Sequence, residues 1–218
     1  ELTGEDLHKV THAYGTNGVI TEVEMPLAPA YDWVDAIVGF DSFDEATLYA
    51  NALARQDGIL TKLISVVAAP CPFDYFKRHQ KFLTEGQSVV LVMTAPHSHD
   101  AFKAFTARHG GEIVFDATTV EDLKGLPPVF ELAWNHTTLR ALRVDPAWTY
   151  LQSLYPFPNQ VELAAKMERM FPGEMISHLE FVRFDGDITC FGLPLIRFTT
   201  EERLDELRAD PGLQEALT

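Results

Sequence analysis

Cysteine is scarce in this sequence: only Cys71 and Cys190 occur among 218 residues, and 119 positions separate them. A disulfide-rich scaffold and a zinc site built on paired cysteines both require more thiols at closer spacing. Both classes of protein are therefore excluded. Two isolated thiols are typical of a reducing compartment, so we expect a cytoplasmic location with both side chains half-buried.

Positive charge is scarce as well. The chain has 17 Lys and Arg against 32 Asp and Glu, a net charge of −15. Residues 1–60 contain 11 of the acids but only Lys9 and Arg55 as cations, which gives this part a charge of −9. Nucleic acids and anionic membrane surfaces bind clustered cations. The composition therefore excludes both as partners.

Long hydrophobic runs are also missing. The longest, residues 63–72, is interrupted by Ser65 and small residues, whereas a membrane-spanning helix needs roughly 20 apolar residues. A hydrophobic fraction of 46% with 11% aromatic residues is nevertheless enough for a core. We therefore expect a soluble globular protein. Because the chain opens on Glu1 without a leader pattern, we further expect it to be a piece of a longer protein.

The chain contains a regular succession of strand-like and helix-like segments. Periodicity and turn residues predict strands at 17–25, 33–40, 63–69, 88–94, 112–116, 148–154, 176–184 and 188–198, and helices at 43–56, 73–84, 99–109, 129–142, 159–170 and from 201 onward. Ser42 is the predicted cap of the first helix, and Asp185-Gly186 predicts a hairpin turn. The predicted fold is α+β: ferredoxin-like split βαβ units forming a mixed or antiparallel sheet with helices on one face.

The most specific local motif is the segment YGTNGVITE at residues 14–22. Its two glycines allow the backbone to approach a flat or charged ligand closely, and nearby amides can donate to ring or phosphate acceptors. An ordinary turn before a strand is the alternative from spacing alone. The motif is not GxGxxG and no predicted helix follows it, so a Rossmann site is excluded.

This block, with its proline-punctuated exit at 26–29 and the strand–helix start FDSFDEA at 40–46, resembles the GTLGVITE block of FAD-linked oxidases. These are flavoproteins of the vanillyl-alcohol oxidase and glycolate/D-lactate dehydrogenase type. In that family the block closes the FAD-binding domain, its backbone lies against the flavin, and a substrate (cap) domain follows. The resemblance implies that residues 1–29 are the C-terminal strand segment of an FAD-binding domain and residues 30–218 the substrate domain. The implied cofactor-binding residues are Gly15, Thr16, Asn17, Gly18, Val19 and Ile20.

The same resemblance bears on cofactors and metals. The family's glycine-rich pyrophosphate loop has no counterpart in this sequence, so the chain would supply one wall of a flavin site. We expect it to bind FAD weakly or not at all without the remainder of the FAD-binding domain. Where family members carry the metal-binding run H-x-G-D-G-N-x-H, Arg183 and Thr189 replace the histidines. Because imidazole is the usual strong ligand there, no metal is expected.

His136 is the candidate catalytic base. It lies in the segment WNHTTL at 134–139, which in related dehydrogenases offers an arginine to the substrate carboxylate. A histidine there can take the hydroxyl proton as hydride leaves for the flavin, because imidazole exchanges protons near neutral pH. Asn135 would polarise the same oxygen. The alternative is a histidine at a helix start, bonded to neighbouring backbone.

Two arginines are candidate substrate-binding residues. Arg140 lies one helical turn after His136 and can bind a carboxylate through two N–H groups, although an exposed surface arginine is the alternative. Arg78 belongs to the basic cluster KRHQK at 77–81, which helical spacing predicts to be the polar face of an amphipathic helix. Binding of an anionic substrate is the further possibility for Arg78.

Two other groups have metal-like or acid–base spacing. His97 and His99 follow Pro96 and begin a predicted helix, so a solvated helix entry is expected for them rather than a metal site. His178 and Glu180 share one face of a predicted strand. Without a third ligand, cross-strand packing is the expected role of this pair.

Two functions of different class remain. The first is the substrate domain of an FAD-dependent oxidoreductase, which oxidises a small alcohol or hydroxyacid by hydride transfer to flavin; the chain alone is then expected to be inactive. The second is a non-catalytic ferredoxin-like module that binds a small ligand or dimerises through its sheet. The expected partners are a small-molecule substrate, the remainder of the FAD-binding domain and, in either case, a possible second copy of the chain.

Overall fold

The computed structural model describes residues 1–11, 13–184 and 186–214 and divides the chain into two compact units, Glu1–Ala30 and Tyr31–Thr218. The first unit contains a 3-10 helix at Gly4–Lys9 followed by turns, and none of its described residues is buried. The strand predicted at 17–25 is wrong, because these residues form no strand. Their β-branched side chains favour extended backbone, but a strand also requires a hydrogen-bonded neighbour, which they do not have among the described residues.

The second unit contains the remaining helices and strands. The strands are β1 Val34–Phe40, β2 Thr61–Val67, β3 Ser88–Thr94, β4 Glu112–Asp116, β5 Trp148–Tyr150, β6 Ser153–Tyr155, β7 Met175–Ile176, β8 His178–Phe184, β9 Asp187–Gly192 and β10 Leu195–Arg197. The helices are α1 Phe43–Ala54, α2 Cys71–Tyr75, α3 His99–Arg108, α4 Asn135–Leu142, α5 Gln160–Met170, α6 Glu201–Ala209 and α7 Pro211–Gln214. Short 3-10 helices occur at Gln80–Phe82, Pro96–Ser98 and Val129–Leu132.

The main sheet has seven strands in the order β4-β1-β3-β2-β8-β9-β6, and every neighbouring pair is antiparallel. Strands β1 and β2 are joined by α1 and have β3 between them, which is the arrangement of a split βαβ unit. Strands β6 and β8 are connected through α5 in the same way, with β9 between them in the sheet. The α+β class and the antiparallel sheet are therefore confirmed.

Both faces of the central strands are covered, and all seven residues of β3 are buried. The three longest helices, α1, α3 and α5, pack together on one face. Tyr49 of α1 lies 2.6 Å from the Thr106 hydroxyl of α3. The 3-10 helix at 129–132 and α4 cover the other face. At this face the Val129 N–H donates to the Asp35 carboxylate of β1. Within the described residues, no helix has the length and apolar composition needed to cross a membrane.

Several predicted elements are shorter or divided in the structure. The helix predicted at 73–84 is wrong beyond Tyr75, because the chain leaves helical geometry at Phe76 with ψ 56°. The predicted helix at 129–142 is divided at Trp134, which has φ 50°. The strand predicted at 188–198 is divided between the main sheet, which contains β9, and a second, three-stranded sheet of order β5-β10-β7. Pro194, which has no N–H to donate, lies between the two halves. Of the predicted hairpin turn, Asp185 lies outside the described residues, whereas the pairing of Phe184 with Asp187 around it is observed.

Both cysteines are fully buried, more so than the sequence predicts, and neither forms a disulfide. Burial raises the pKa of both thiols, and at Cys71 the nearby Asp74 carboxylate raises it further. A thiol that resists ionisation is a poor nucleophile. Both side chains therefore act as core residues.

Candidate substrate site

Arg78 and Arg140, the two predicted substrate-binding arginines, line the same pocket, whose volume is about 160 Å³. Lys77 and Arg143 also line it, so two segments far apart in sequence bring four cations together. We call this the basic pocket. Its remaining walls are formed by Tyr75, Phe76, Pro127, Leu132 and Val144. No acidic side chain is among these lining residues, so the pocket is suited to an anion.

Arg140 is held in place by the segment before α4. Its Nε donates to the Glu131 carbonyl oxygen at 3.1 Å, and its Nη2 donates to Glu131 Oε2 at 3.3 Å. The Arg140 side chain is 18% exposed. Arg78 and Arg143 form no ion pair with a described residue, so their guanidinium groups are available to a ligand. The sequence analysis does not predict Arg143 as a site residue. Its position three residues after Arg140 is nevertheless the spacing of neighbours on a helix surface.

His136, the predicted base, lies beside Arg140 through a shared partner. Its Nδ1 is 3.4 Å from Glu131 Oε2, the same oxygen that Arg140 contacts. The His136 side chain is 38% exposed, and Asn135, the first residue of α4, is exposed. Neither residue lines the basic pocket. The structure thus brings His136, Glu131 and Arg140 together, and leaves Asn135 at the surface beside them.

Trp134, directly before α4, has an unusual backbone conformation. Its φ of 50° and ψ of −142° lie in a region that non-glycine residues rarely adopt. Its N–H donates to Glu180 Oε1 at 2.6 Å. Such strain persists only where surrounding contacts hold it, and it is concentrated at functional sites. The Glu180 carboxylate is one contact that fixes the start of α4.

His178 and Glu180 share one face of β8 as predicted, but cross-strand packing describes only part of their role. His178 Nε2 donates to Glu180 Oε1 at 2.8 Å and lies 3.1 Å from the Ser65 hydroxyl. His178 is fully buried and Glu180 is 4% exposed. Ser65 on β2 and Trp134 are distant in sequence, so the strand pattern alone could not predict this polar cluster.

A second pocket, of about 370 Å³, is larger than the basic pocket and lies on the face of the main sheet that carries Glu180. We call it the Glu180 pocket. It is lined by Trp134, Gln152, Ser153, Leu154, Glu180, Val182, Phe191, Gly192 and Leu193. It contains neither arginine nor lysine among these residues, in contrast to the basic pocket.

The sequence predicts that His97 and His99 are exposed to solvent at the start of α3, and for His99 this prediction is wrong. This side chain is buried, with Nε2 at 3.0 Å from Asp116 Oδ2 and Nδ1 at 2.9 Å from the Thr94 hydroxyl. Burial raises the pKa of Asp116, but hydrogen bonds from Thr118 and His99 outweigh it and lower that pKa below its usual value. Among the described residues, no three His, Cys, Asp or Glu side chains are arranged to hold a metal ion.

The predicted polar helix face at 77–81 is also wrong for His79. His79 is fully buried, and neither ring nitrogen has a hydrogen-bond partner. Its ring packs edge-on against Phe115, 5.1 Å away between centroids. Burial, together with the nearby Arg140 and Lys81 charges, lowers the His79 pKa to about 4. His79 is therefore a neutral core residue next to the basic pocket.

The predicted flavin-binding segment lies in the first unit. Gly15 and Gly18 have φ values of 75° and 137°, conformations that favour glycine. The Asn17 side chain donates to the Lys9 carbonyl at 2.6 Å, and Thr16 donates through its hydroxyl to the Ala13 carbonyl. The N–H groups of Asn17 and Gly18 have no acceptor among the described residues. Val19 and Ile20 are 89% and 61% exposed. Free amides beside exposed apolar side chains suit one wall of a flat, polar-edged ring system.

Comparison with known proteins gave a match at the level of fold. No family model and no curated protein matches the sequence. Among solved structures, the fold is similar to one titled alkyldihydroxyacetonephosphate synthase in P1, with a TM-score of 0.51 and 10% sequence identity. The match covers 83% of this chain but only 39% of that one. This chain therefore has the fold of a part of that larger enzyme.

Proposed function

We propose that this chain is the substrate domain of an FAD-dependent oxidoreductase that oxidises a small alcohol or hydroxyacid by hydride transfer to flavin. The observation that carries the proposal is the fold similarity to the alkyldihydroxyacetonephosphate synthase structure. It agrees at a coarse level with the independent resemblance of the block at 15–22 to FAD-linked oxidases. Whole-protein activity requires more than this chain supplies, since the chain spans 39% of that enzyme's length.

The basic pocket supports a substrate that carries a carboxylate. Arg78 and Arg140 approach the pocket from different segments, and an arginine can bind a carboxylate through two parallel N–H groups. Glu131 already holds the Arg140 side chain through two hydrogen bonds, so that side chain loses less conformational freedom when a ligand binds. Among the two substrate classes, a hydroxyacid makes use of this pocket, whereas a simple alcohol does not.

His136 is the proposed base, with Glu131 as its positioning residue. A carboxylate 3.4 Å from Nδ1 favours a proton on that nitrogen, which leaves Nε2 to take the hydroxyl proton of a substrate. Asn135 is proposed to donate a hydrogen bond to the same substrate oxygen. The arrangement resembles the way a carboxylate orients a catalytic histidine in hydrolases, applied here to proton removal from an alcohol.

The segment Gly15–Ile20 is proposed to hold FAD, which when bound supplies the hydride acceptor. The free amides of Asn17 and Gly18 would donate to ring oxygen or nitrogen atoms. Val23, Met25 and Leu27 follow in the same exposed segment, each more than 60% exposed. Such a run of exposed apolar side chains suits a protein partner, and we propose the remainder of an FAD-binding domain as that partner.

His136→Ala tests the catalytic assignment in the flavin-loaded natural protein that contains this chain. Flavin reduction by a saturating 2-hydroxyacid, followed anaerobically in a stopped-flow instrument, should slow by about 100-fold, because a positioned base contributes at least that much. Arg140→Gln in the same assay should instead raise the half-saturating concentration about tenfold, through loss of one charge-assisted contact.

Two variants serve as matched controls for that assay. His97→Ala removes an exposed histidine, and Arg169→Gln removes an exposed arginine that pairs with Asp44. Both should behave as the parent protein does. An unchanged rate of flavin reduction in His136→Ala would contradict the catalytic assignment, and an unchanged half-saturating concentration in Arg140→Gln would contradict the substrate assignment.

A further inference from the structure

The Glu180 pocket has features of a ligand site that the oxidation chemistry above does not use. At about 370 Å³ it is at the small end of the range for small-molecule sites, roughly 300–1,000 Å³. Ser65, Glu180, Phe191 and Leu154 form one row across β2, β8, β9 and β6, as the strand register shows. A carboxylate therefore stands among mainly apolar neighbours.

The two oxygens of Glu180 differ in their surroundings. Oε1 accepts the Trp134 N–H at 2.6 Å and the His178 Nε2 proton at 2.8 Å. Oε2 has no hydrogen-bond partner among the described residues, although the Glu180 side chain is only 5% exposed. Since Glu180 lines the pocket, Oε2 is the oxygen left for a ligand.

Within the described structure, the Glu180 carboxylate has His178 as its one ionisable partner, and that contact is made through Oε1. No lysine or arginine of the described residues forms an ion pair with Glu180 or lines its pocket. Its contact with His178 involves Oε1 alone, so Oε2 remains without an ionisable partner among the described residues.

The walls of the Glu180 pocket favour a cationic ligand, as its carboxylate does. Two aromatic residues, Trp134 and Phe191, line the pocket with Glu180 and are 41% and 37% exposed. Aromatic faces attract cations, and Leu154, Val182 and Leu193 add apolar surface for a hydrocarbon body. A carboxylate ligand would meet like charge here, whereas the basic pocket offers it four cationic side chains.

We propose that the Glu180 pocket binds a protonated primary amine with a compact apolar body. The ammonium group donates to Glu180 Oε2, and the apolar body lies against Trp134, Phe191 and Val182. This site is separate in chemistry from the basic pocket and does not depend on flavin or on the proposed oxidation. A buried carboxylate with one oxygen left without a hydrogen-bond partner gains most from a ligand that brings a donor of the opposite charge.

The test is a calorimetric titration of the 218-residue chain with three probes of one shape: benzylamine, benzyl alcohol and benzoate. At neutral pH the amine is cationic, the alcohol neutral and the acid anionic. Benzylamine should bind at least about tenfold more tightly than benzyl alcohol, and benzoate should bind least well to this pocket. Equal affinities for amine and alcohol, or no amine binding at millimolar concentration, would overturn the proposal.

Two variants locate the binding. Glu180→Gln should weaken benzylamine at least tenfold while leaving benzyl alcohol within about twofold. Val182→Lys places an ammonium group two residues from Glu180 on the same strand face, where it can pair with the carboxylate in place of the ligand. This variant keeps the Glu180 contacts to Trp134 and His178 and should also weaken benzylamine binding at least tenfold. Glu162→Gln, an exposed helical site, is the matched control and should leave all affinities unchanged.

Thermal unfolding of each variant shows whether it is folded before it is titrated. If Glu180→Gln does not fold, because Trp134 and His178 lose part of their hydrogen bonding, the Val182→Lys variant decides the outcome. Amine affinity retained in a folded Val182→Lys protein would overturn the assignment, and so would competition of benzylamine binding by inorganic phosphate, which is expected only in the basic pocket.

Discussion

His79 illustrates at the residue scale how burial reverses an expectation drawn from sequence. Flanked by Lys77, Arg78 and Lys81, it has the sequence context of a polar surface, yet it is fully buried. The chain turns inward at this point because helix α2 stops at Tyr75. A neutral, buried imidazole therefore lies within a sequence run of cations, near the Arg140 and Lys81 charges.

This burial predicts a pH dependence of stability. The His79 pKa is about 4 in the folded chain and about 6.5 in an unfolded one. Between these values the unfolded state binds more protons, so stability is complete above about pH 6.5 and is lost as the pH falls toward 4. At pH 5 the loss from this group is about 1–2 kcal/mol.

His79→Leu should remove that part of the pH dependence, because leucine fills a similar volume without titrating. The measurement is the free energy of unfolding from urea denaturation at pH 7 and pH 5. His97→Leu, at an exposed position, is the control and should keep the parent's pH dependence. An equal loss of stability between the two pH values in His79→Leu and the parent would refute this account.

The candidate site was only partly predictable from single residues. Arg78 and Arg140 were predicted as separate candidates, and the structure places them in one pocket. Glu131, which joins Arg140 to His136, was not predicted because a glutamate in a proline-rich stretch has no distinguishing pattern. Glu180 was noted, but its contact with the Trp134 N–H depends on a backbone conformation that no sequence pattern specifies.

At the scale of elements, helix starts were predicted well where a side chain sets them. Ser42 accepts the Glu45 N–H at 3.2 Å and donates to the Glu45 carboxylate at 3.0 Å, so α1 begins where the sequence predicts. Thr200 caps α6 in the same manner, accepting the Arg203 N–H. Breaks set by tertiary contacts, such as the one at Trp134, were missed because local propensity does not include them.

The α1 cap gives a direct stability prediction. Ser42→Ala should lower the free energy of unfolding by about 1 kcal/mol, because the orphan N–H of the first turn loses its acceptor. Ser42→Gly should cost only a few tenths of a kcal/mol, since glycine exposes that amide to water. Chemical denaturation of both variants checks the order. An unchanged free energy of unfolding in Ser42→Ala would show that the side-chain cap contributes nothing.

At the scale of the whole molecule, the strand alternation was sufficient to predict an α+β fold with an antiparallel sheet. The order β4-β1-β3-β2-β8-β9-β6 could not be predicted in the same way, because pairing between β2 and β8 joins residues more than a hundred positions apart. The first unit was predicted least well. Its strand-like residues are exposed and unpaired within the described structure, which is the reason for proposing a partner domain for them.

The central claim is that this chain serves a flavin enzyme as its substrate domain. The most direct test is the visible absorption spectrum of the natural protein that contains this sequence, recorded anaerobically before and after addition of a small 2-hydroxyacid. The account predicts a flavin band that bleaches on addition, with no such band from the 218-residue chain purified alone. A natural protein that is colourless and takes up no FAD would contradict it.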